Sequence, residues 1–201
     1  MTSFRLHGIL NILPIIRALN VVLVLGLFPI GGWAIADEIS PASIPESHQL
    51  SLKGMNGYDH YLHDYMNEDK WLVVMIWQSD CHVCNQEAAA YTAWYEKNKS
   101  GNSTLLGVST DGWEHKDAAQ GFLDKHHVTF PSVLVSTEVL NNYYEKNVGA
   151  SFFGTPSFLI YSPAGELLAA QVGAVPTEVI DNFIQDNSKL AAAAIVNQPR
   201  L

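Results

Sequence analysis

Between Trp71 and Trp77 the chain reads WLVVMIW, seven apolar residues with no polar interruption. Strict alternation would mark a strand wetted on one face, whereas an unbroken run of strand length is the pattern of a strand buried on both. It is expected at the centre of a sheet. Residues 81–99 follow without Gly or Pro, and the alanines at 88–90 and 93 with Tyr91, Trp94 and Tyr95 suit a packed helix that Gly101 and Asn102 end. Residues 104–109 read as a second strand, 114–126 as a helix, 128–135 as an apolar stretch and 137–148 as a further short helix. Ser157–Tyr161 and Leu167–Val172 read as two strands joined by a turn containing Pro163 and Gly165, and 176–187 as a closing helix. Residues 58–68, rich in Tyr and His, are expected to form a short helix. Strands alternating with helices predict a parallel core with right-handed crossovers, to which the hairpin adds antiparallel strands on one side. The expected class is α/β, a mixed central β-sheet flanked by helices.

The N-terminal pattern is different in kind. Residues 1–36 carry Arg5 and Arg17 but no acid, then the apolar run 19–30, then small residues ending Ala34-Ile35-Ala36. That order predicts a signal peptide cleaved before Asp37. An uncleaved membrane anchor is the alternative, although Pro29, Gly31 and Gly32 interrupt the segment before it reaches the ~20 apolar residues of a span. Either way the folded part is expected to be periplasmic or otherwise extracytoplasmic. Residues 37–49 are expected to be a flexible lead, 50–190 the folded domain and 191–201 a frayed tail.

Composition narrows the function. The 201 residues are 48% hydrophobic, enough for one core, and the formal charge is −9, with 11 Lys and Arg against 20 Asp and Glu. A nucleic-acid binder needs a basic face, so that class is excluded.

The chain has two cysteines, Cys81 and Cys84, three residues apart where the central strand turns into the first long helix. A bridge closing so small a loop restricts the unfolded chain little, so stability is a poor reason for it. Chemistry is a better one. At a helix N-terminus the unpaired N–H groups and the macrodipole favour an anion, which lowers the pKa of a Cys81 thiolate and makes it the expected nucleophile. Cys84, in the first turn, is placed to resolve a mixed disulfide. His82, if protonated, would lower the pKa further, or it simply faces solvent; Asp80 acts in the opposite direction, or it caps the helix. A structural zinc site needs four ligands and there is no second CxxC; His60 and His63 have H-x-x-H spacing but also read as the polar face of a helix. A c-type haem site needs His directly after the second cysteine, and position 85 is Asn.

The strand ending Ile76-Trp77, the Cys81-His82-Val83-Cys84 motif, Glu87 and the distant Gly154-Thr155-Pro156 resemble the thioredoxin-fold periplasmic thiol:disulfide oxidoreductases of the TlpA/ResA/DsbE type. The resemblance covers roughly residues 50–187. It implies a thioredoxin-like fold in which residues 111–130 contain a TlpA-type strand-helix insertion. It further implies a cis Pro156 facing the cysteines, with the backbone of Thr155 pairing an extended substrate; the residues alone also allow an ordinary strand-starting proline. Glu87 in such proteins assists proton transfer, and the residues alone also allow a solvent-facing helix Glu. Trp77, His82, Thr155 and Pro156 are the expected substrate-binding residues. The chain departs from the wider pattern at Met75, where cytosolic thioredoxins carry a buried Asp, at Asp80, where an aromatic is usual, and at Val83, where a proline is usual. These departures leave the redox potential open.

The expected function is extracytoplasmic thiol:disulfide oxidoreductase, reducing protein disulfides with no bound cofactor, in cytochrome c maturation as one candidate pathway. The expected partners are a protein dithiol or disulfide client and a membrane thiol-transfer electron donor, with the chain itself a monomer. The alternative is a copper or other metal chaperone on the same fold. A peroxiredoxin-type peroxidase would need a Thr before its cysteine, and the lead Trp77-Gln78-Ser79-Asp80 has none.

Overall fold

The computed structural model describes residues 45–196; the expected signal segment 1–36 and the beginning of the lead lie outside them. Strand β3 (Trp71–Trp77) is buried at every position, as its unbroken apolar run requires. It is the fifth strand of a seven-stranded sheet in the order β2 (Asp59–Tyr61), β1 (Ser51–Gly54), β5 (Ser132–Leu134), β4 (Ser103–Ser109), β3, β6 (Ser157–Tyr161) and β7 (Leu167–Val172). β3 pairs in parallel with β4 (Ser103–Ser109), which pairs in parallel with β5 (Ser132–Leu134). On the other side β6 (Ser157–Tyr161) and β7 (Leu167–Val172) add an antiparallel hairpin. The mixed sheet flanked by helices is the expected one.

Helix α1 (His82–Asn98) leaves the end of β3, α2 (Lys116–Lys125) links β4 to β5, α3 (Thr137–Asn147) links β5 to β6, and α4 (Thr177–Val196) follows β7. The pleat of β3 divides the core. Trp71, Val73, Met75 and Trp77 pack with α1, α2 and α4, while Leu72, Val74 and Ile76 pack with Leu140, Tyr143 and Tyr144 of α3. Burial of this apolar surface on both faces is the main force ordering the layers. Residues 111–130, where a strand-helix insertion was expected, hold a 3-10 turn (Trp113–His115) and α2 but no strand, the next strand starting at Ser132.

Three boundaries differ from expectation. Residues 58–68 are not a helix: β2 (Asp59–Tyr61) pairs antiparallel with β1 (Ser51–Gly54), and a single 3-10 turn, Leu62–Tyr65, follows. In this segment only Leu62 is fully buried, so there is no apolar stripe for a helix to bury, while the edge of β1 has hydrogen bonds to satisfy. Helix α4 runs to Val196, through most of what was expected as tail. The last residues of the lead are anchored as well: a 3-10 turn spans Glu46–His48, the Glu46 carboxylate meets Lys146 Nζ at 2.9 Å, and His48 Nε2 lies 2.6 Å from the Gly165 carbonyl. The Gly165 turn follows the far end of β6, so these contacts sit at the pole opposite the β3–α1 turn. Among the described residues no helix is long and apolar enough to cross a membrane.

Candidate active site

Cys81 is the N-cap of α1, with extended backbone angles (φ −68°, ψ 113°), and its sulfur accepts the Cys84 N–H at 3.1 Å. The two cysteines form a disulfide with Cα atoms 5.2 Å apart. Cys84 is fully buried against Met75, Trp77 and Ala88, whereas Cys81 stands partly exposed on the rim. A partner sulfur therefore has access to Cys81 and not to Cys84. Cys84 is the less exposed of the two, as the sequence reading expected of it. The capping acceptor is the Cys81 sulfur and not Asp80, which is exposed.

Two polar groups that the sequence reading passed over hold the turn. Asp111, just beyond β4, accepts the Ser79 N–H at 3.0 Å and the Ser79 hydroxyl at 2.7 Å, and also the Ser109 hydroxyl at 2.6 Å. Asn85 donates its amide hydrogens to the carbonyls of Ser79 at 3.0 Å and Cys81 at 2.9 Å. Its carbonyl oxygen accepts from Lys125 Nζ and His126 Nε2, both at 2.9 Å. The one legible signal for Asp111 is its place immediately after a parallel strand, where ligand-side loops of α/β sheets begin; nothing in the sequence marks Asn85. Beside the turn a polar cleft of about 520 Å³ is lined by Asp80, Asp111, Glu114 and His115 among others.

The Thr155–Pro156 peptide is cis, as the resemblance implied. Ile76 pairs with Ser157, so the antiparallel register carried one step further sets Pro156 opposite Trp77, four residues from Cys81. No backbone hydrogen bond within the described residues takes up the N–H or carbonyl of Thr155. Phe153 is 79% exposed on the approach to this loop, and Val83 is 37% exposed at the start of α1.

Trp77 needs correction. It is fully buried, stacked on Phe122 with ring centroids 4.3 Å apart, and cannot touch a substrate. Its role is support: a side chain at Gly107 would collide with Trp77 Nε1, Phe130 and Ser132, so the glycine lets the indole lie across β4. His82 is exposed beside Cys81. Glu87 is half-buried on α1 and makes no hydrogen bond to either cysteine; its charge is felt at Tyr91. Burial pushes the Tyr91 phenol up to about 12, with the Val175 carbonyl working against it and Glu87 adding to it. Met75, where thioredoxins carry an acid, is buried among apolar side chains.

His60 and His63 do not share a helix face. His60 lies in β2 and His63 in the following turn, 3.8 Å and 3.1 Å from the Asp64 carboxylate. Among the described residues there is no group of three or more His, Cys, Asp or Glu placed to hold a metal ion.

Known proteins share this architecture. A thiol:disulfide interchange protein from Chlorobium tepidum TLS superposes with a TM-score of 0.57 at 14% identity, covering 69% of this chain and 92% of its own. A secreted disulfide oxidoreductase of Mycobacterium tuberculosis, described as homologous to E. coli DsbE, gives 0.52 at 19% identity over 68% and 95%. StoA from Bacillus subtilis gives 0.52 at 20% identity over 66% and 92%. At these identities the likeness shows the thioredoxin-like fold. No curated protein matches the sequence. The sequence pattern of the AhpC/TSA family matches residues 45–170, from the first 3-10 turn through the cysteine pair and the cis-proline loop into β7; the chain belongs to that family.

Proposed function

We propose that the protein is an extracytoplasmic thiol:disulfide oxidoreductase that reduces disulfides in client proteins. The observation that carries this is the placing of the two sulfurs, Cys81 on the rim at the N-terminus of α1 and Cys84 sealed beneath it. An external dithiol first reduces the pair. The Cys81 thiolate then attacks a client sulfur, forming a mixed disulfide and expelling a client thiolate. The Cys84 thiolate attacks Cys81 Sγ, which restores the Cys81–Cys84 bond and releases the second client thiolate. Two electrons pass to the client, and its thiolates take up two protons.

Thr155 supports an extended client segment through its unpaired backbone groups, with Pro156, His82 and Phe153 around it. Glu87 is the carboxylate on α1 that we assign to proton transfer with Cys84. A membrane thiol-transfer protein is the donor class this reading calls for, and apocytochrome c is one client it accommodates. The secreted Mycobacterium tuberculosis oxidoreductase of the same fold supports an extracytoplasmic setting. A peroxidase is the second reading, favoured by the AhpC/TSA match and disfavoured by the lead lacking Thr.

The test is the reduction potential of the pair, measured by equilibration against glutathione and dithiothreitol buffers, with hydrogen peroxide consumption followed in parallel. A value near about −270 mV supports the reductase, and one near about −120 mV makes it an oxidant instead. A pair that does not cycle with dithiols overturns the reading, and with copper retained by Cys81 and Cys84 it becomes the metal chaperone.

A further inference from the structure

Asn85 is the only side chain that joins the cysteine turn to the end of α2 through hydrogen bonds among the described residues. An amide offers two donor hydrogens and two acceptor lone pairs, and here all four are used. The orientation is dictated by the partners. The Ser79 and Cys81 carbonyls can only accept, so they face Nδ2; Lys125 can only donate, so it faces Oδ1. His126 must then donate from Nε2. Cys81 O also receives the Asn85 backbone N–H at 3.0 Å, so residue 85 holds that carbonyl with both its amides.

Two consequences follow for the sulfur. The amide fixes the turn just before the N-cap, and with it the direction in which Cys81 Sγ points. The donors also draw on the negative ends of two carbonyl dipoles next to the sulfur, and the Lys125 ammonium, one amide away, polarises that amide further in the same sense. Both effects favour an anion at Cys81. The other ionisable groups on the elements meeting here include Asp80 and Asp111 at the strand ends, His82 and Glu87 on α1, Asp124 on α2 and His127 after it.

We propose that Asn85 is a positioning residue for exchange at Cys81, through which Lys125 and His126 at the end of α2 stabilise the Cys81 thiolate. This rests on Cys81 being the attacking group in the proposed function, and concerns how its thiolate is tuned.

The experiment is the pH dependence of iodoacetamide alkylation of the dithiothreitol-reduced protein, which reads Cys81 because Cys84 is buried. It is made on the wild type, Asn85→Ala, Lys125→Met and the double variant, with thermal melts alongside. The Asn85→Ala midpoint is expected about half a unit higher, seen as roughly threefold slower alkylation at pH values below it. Lys125→Met, a change at an exposed side chain, gives a smaller upward shift and adds nothing to Asn85→Ala, because its effect passes through the amide. An Asn85→Ala midpoint equal to wild type with a lowered melting temperature reduces Asn85 to a structural role and overturns the proposal. Additive shifts overturn the relay from Lys125. If Asn85→Ala does not fold, an unshifted Lys125→Met midpoint has the same force. Alkylation needs no client, so these outcomes stand apart from a failure of the wild-type pair to cycle, which would count against the oxidoreductase reading alone.

Discussion

The carboxylate of Asp111 takes both hydrogens that Ser79 offers, the backbone N–H at 3.0 Å and the hydroxyl at 2.7 Å. The cysteine turn at the end of β3 is thereby tied to the end of β4, one strand away. Asp111→Ala leaves these donors and the Ser109 hydroxyl without their charged acceptor. The expected loss is roughly 2 kcal/mol in urea unfolding at unchanged m-value. Asp111→Asn, which keeps one acceptor oxygen, should recover part of it. An unchanged midpoint for Asp111→Ala would show that the turn holds itself.

Phe153 is 79% exposed, so replacing it should leave the folded state almost untouched. Phe153→Ser is expected to change unfolding stability by less than about 0.5 kcal/mol. If the ring contributes to client docking, KM for an unfolded disulfide-bonded protein rises several-fold at constant kcat. Equal KM values would remove Phe153 from the docking surface.

His126 is held below its ordinary pKa, first by burial and then by the charges of Lys125 and His127. The folded protein therefore keeps the ring neutral where the unfolded chain already binds a proton. Its contribution to stability is complete above the unfolded value of about 6.5 and is lost as pH falls through the lower folded value. Melting temperatures should decline across this window, before the lowered carboxylates of Glu46, Asp59 and Glu96 begin to matter. In His126→Gln that step should flatten, and an identical profile would contradict the assignment.

Tyr144 is buried and its hydroxyl has no partner in good hydrogen-bond geometry; the nearby Ser157 hydroxyl, whose hydrogen-bonding influence opposes the effect of burial on the phenol, is committed as a donor to the Gly154 carbonyl at 2.5 Å. Burial pushes the phenol up to about 12. Tyr144→Phe removes a desolvated polar atom whose one polar neighbour, the Ser157 hydroxyl, keeps its own partner at the Gly154 carbonyl, so stability is expected to rise by about 1 kcal/mol. A further sign holds at high pH. The folded state resists ionisation above the ordinary tyrosine value of about 10, so the wild type loses stability as pH rises from there, and Tyr144→Phe loses less. A destabilised variant would show that the hydroxyl has a partner.

The cysteine motif was legible because its chemistry is local: a thiol at a helix N-terminus has its character set within one turn. The cis-proline loop was legible through the resemblance, and β3 and α1 through hydrophobic pattern, since burial on both faces and helical spacing leave a trace in consecutive residues. The pattern misled at 58–68, where Tyr and His residues suggested a helix and the open edge of β1 made a strand. At Trp77 it was the resemblance and not the pattern that misled: the residue was expected to contact substrate and is wholly enclosed, as its place in the unbroken apolar run requires.

What the sequence by itself determined is the central strand, the alternation of strands and helices, and a cysteine sulfur at the start of α1, all consequences of neighbours in the chain. The supports of that sulfur were decided by the tertiary structure. Asp111 reaches Ser79 across 32 positions and Lys125 reaches Asn85 across 40. A single hydrogen bond between such distant residues has no period and no spacing to betray it, because only the packing of β4 and α2 against α1 brings the partners within reach.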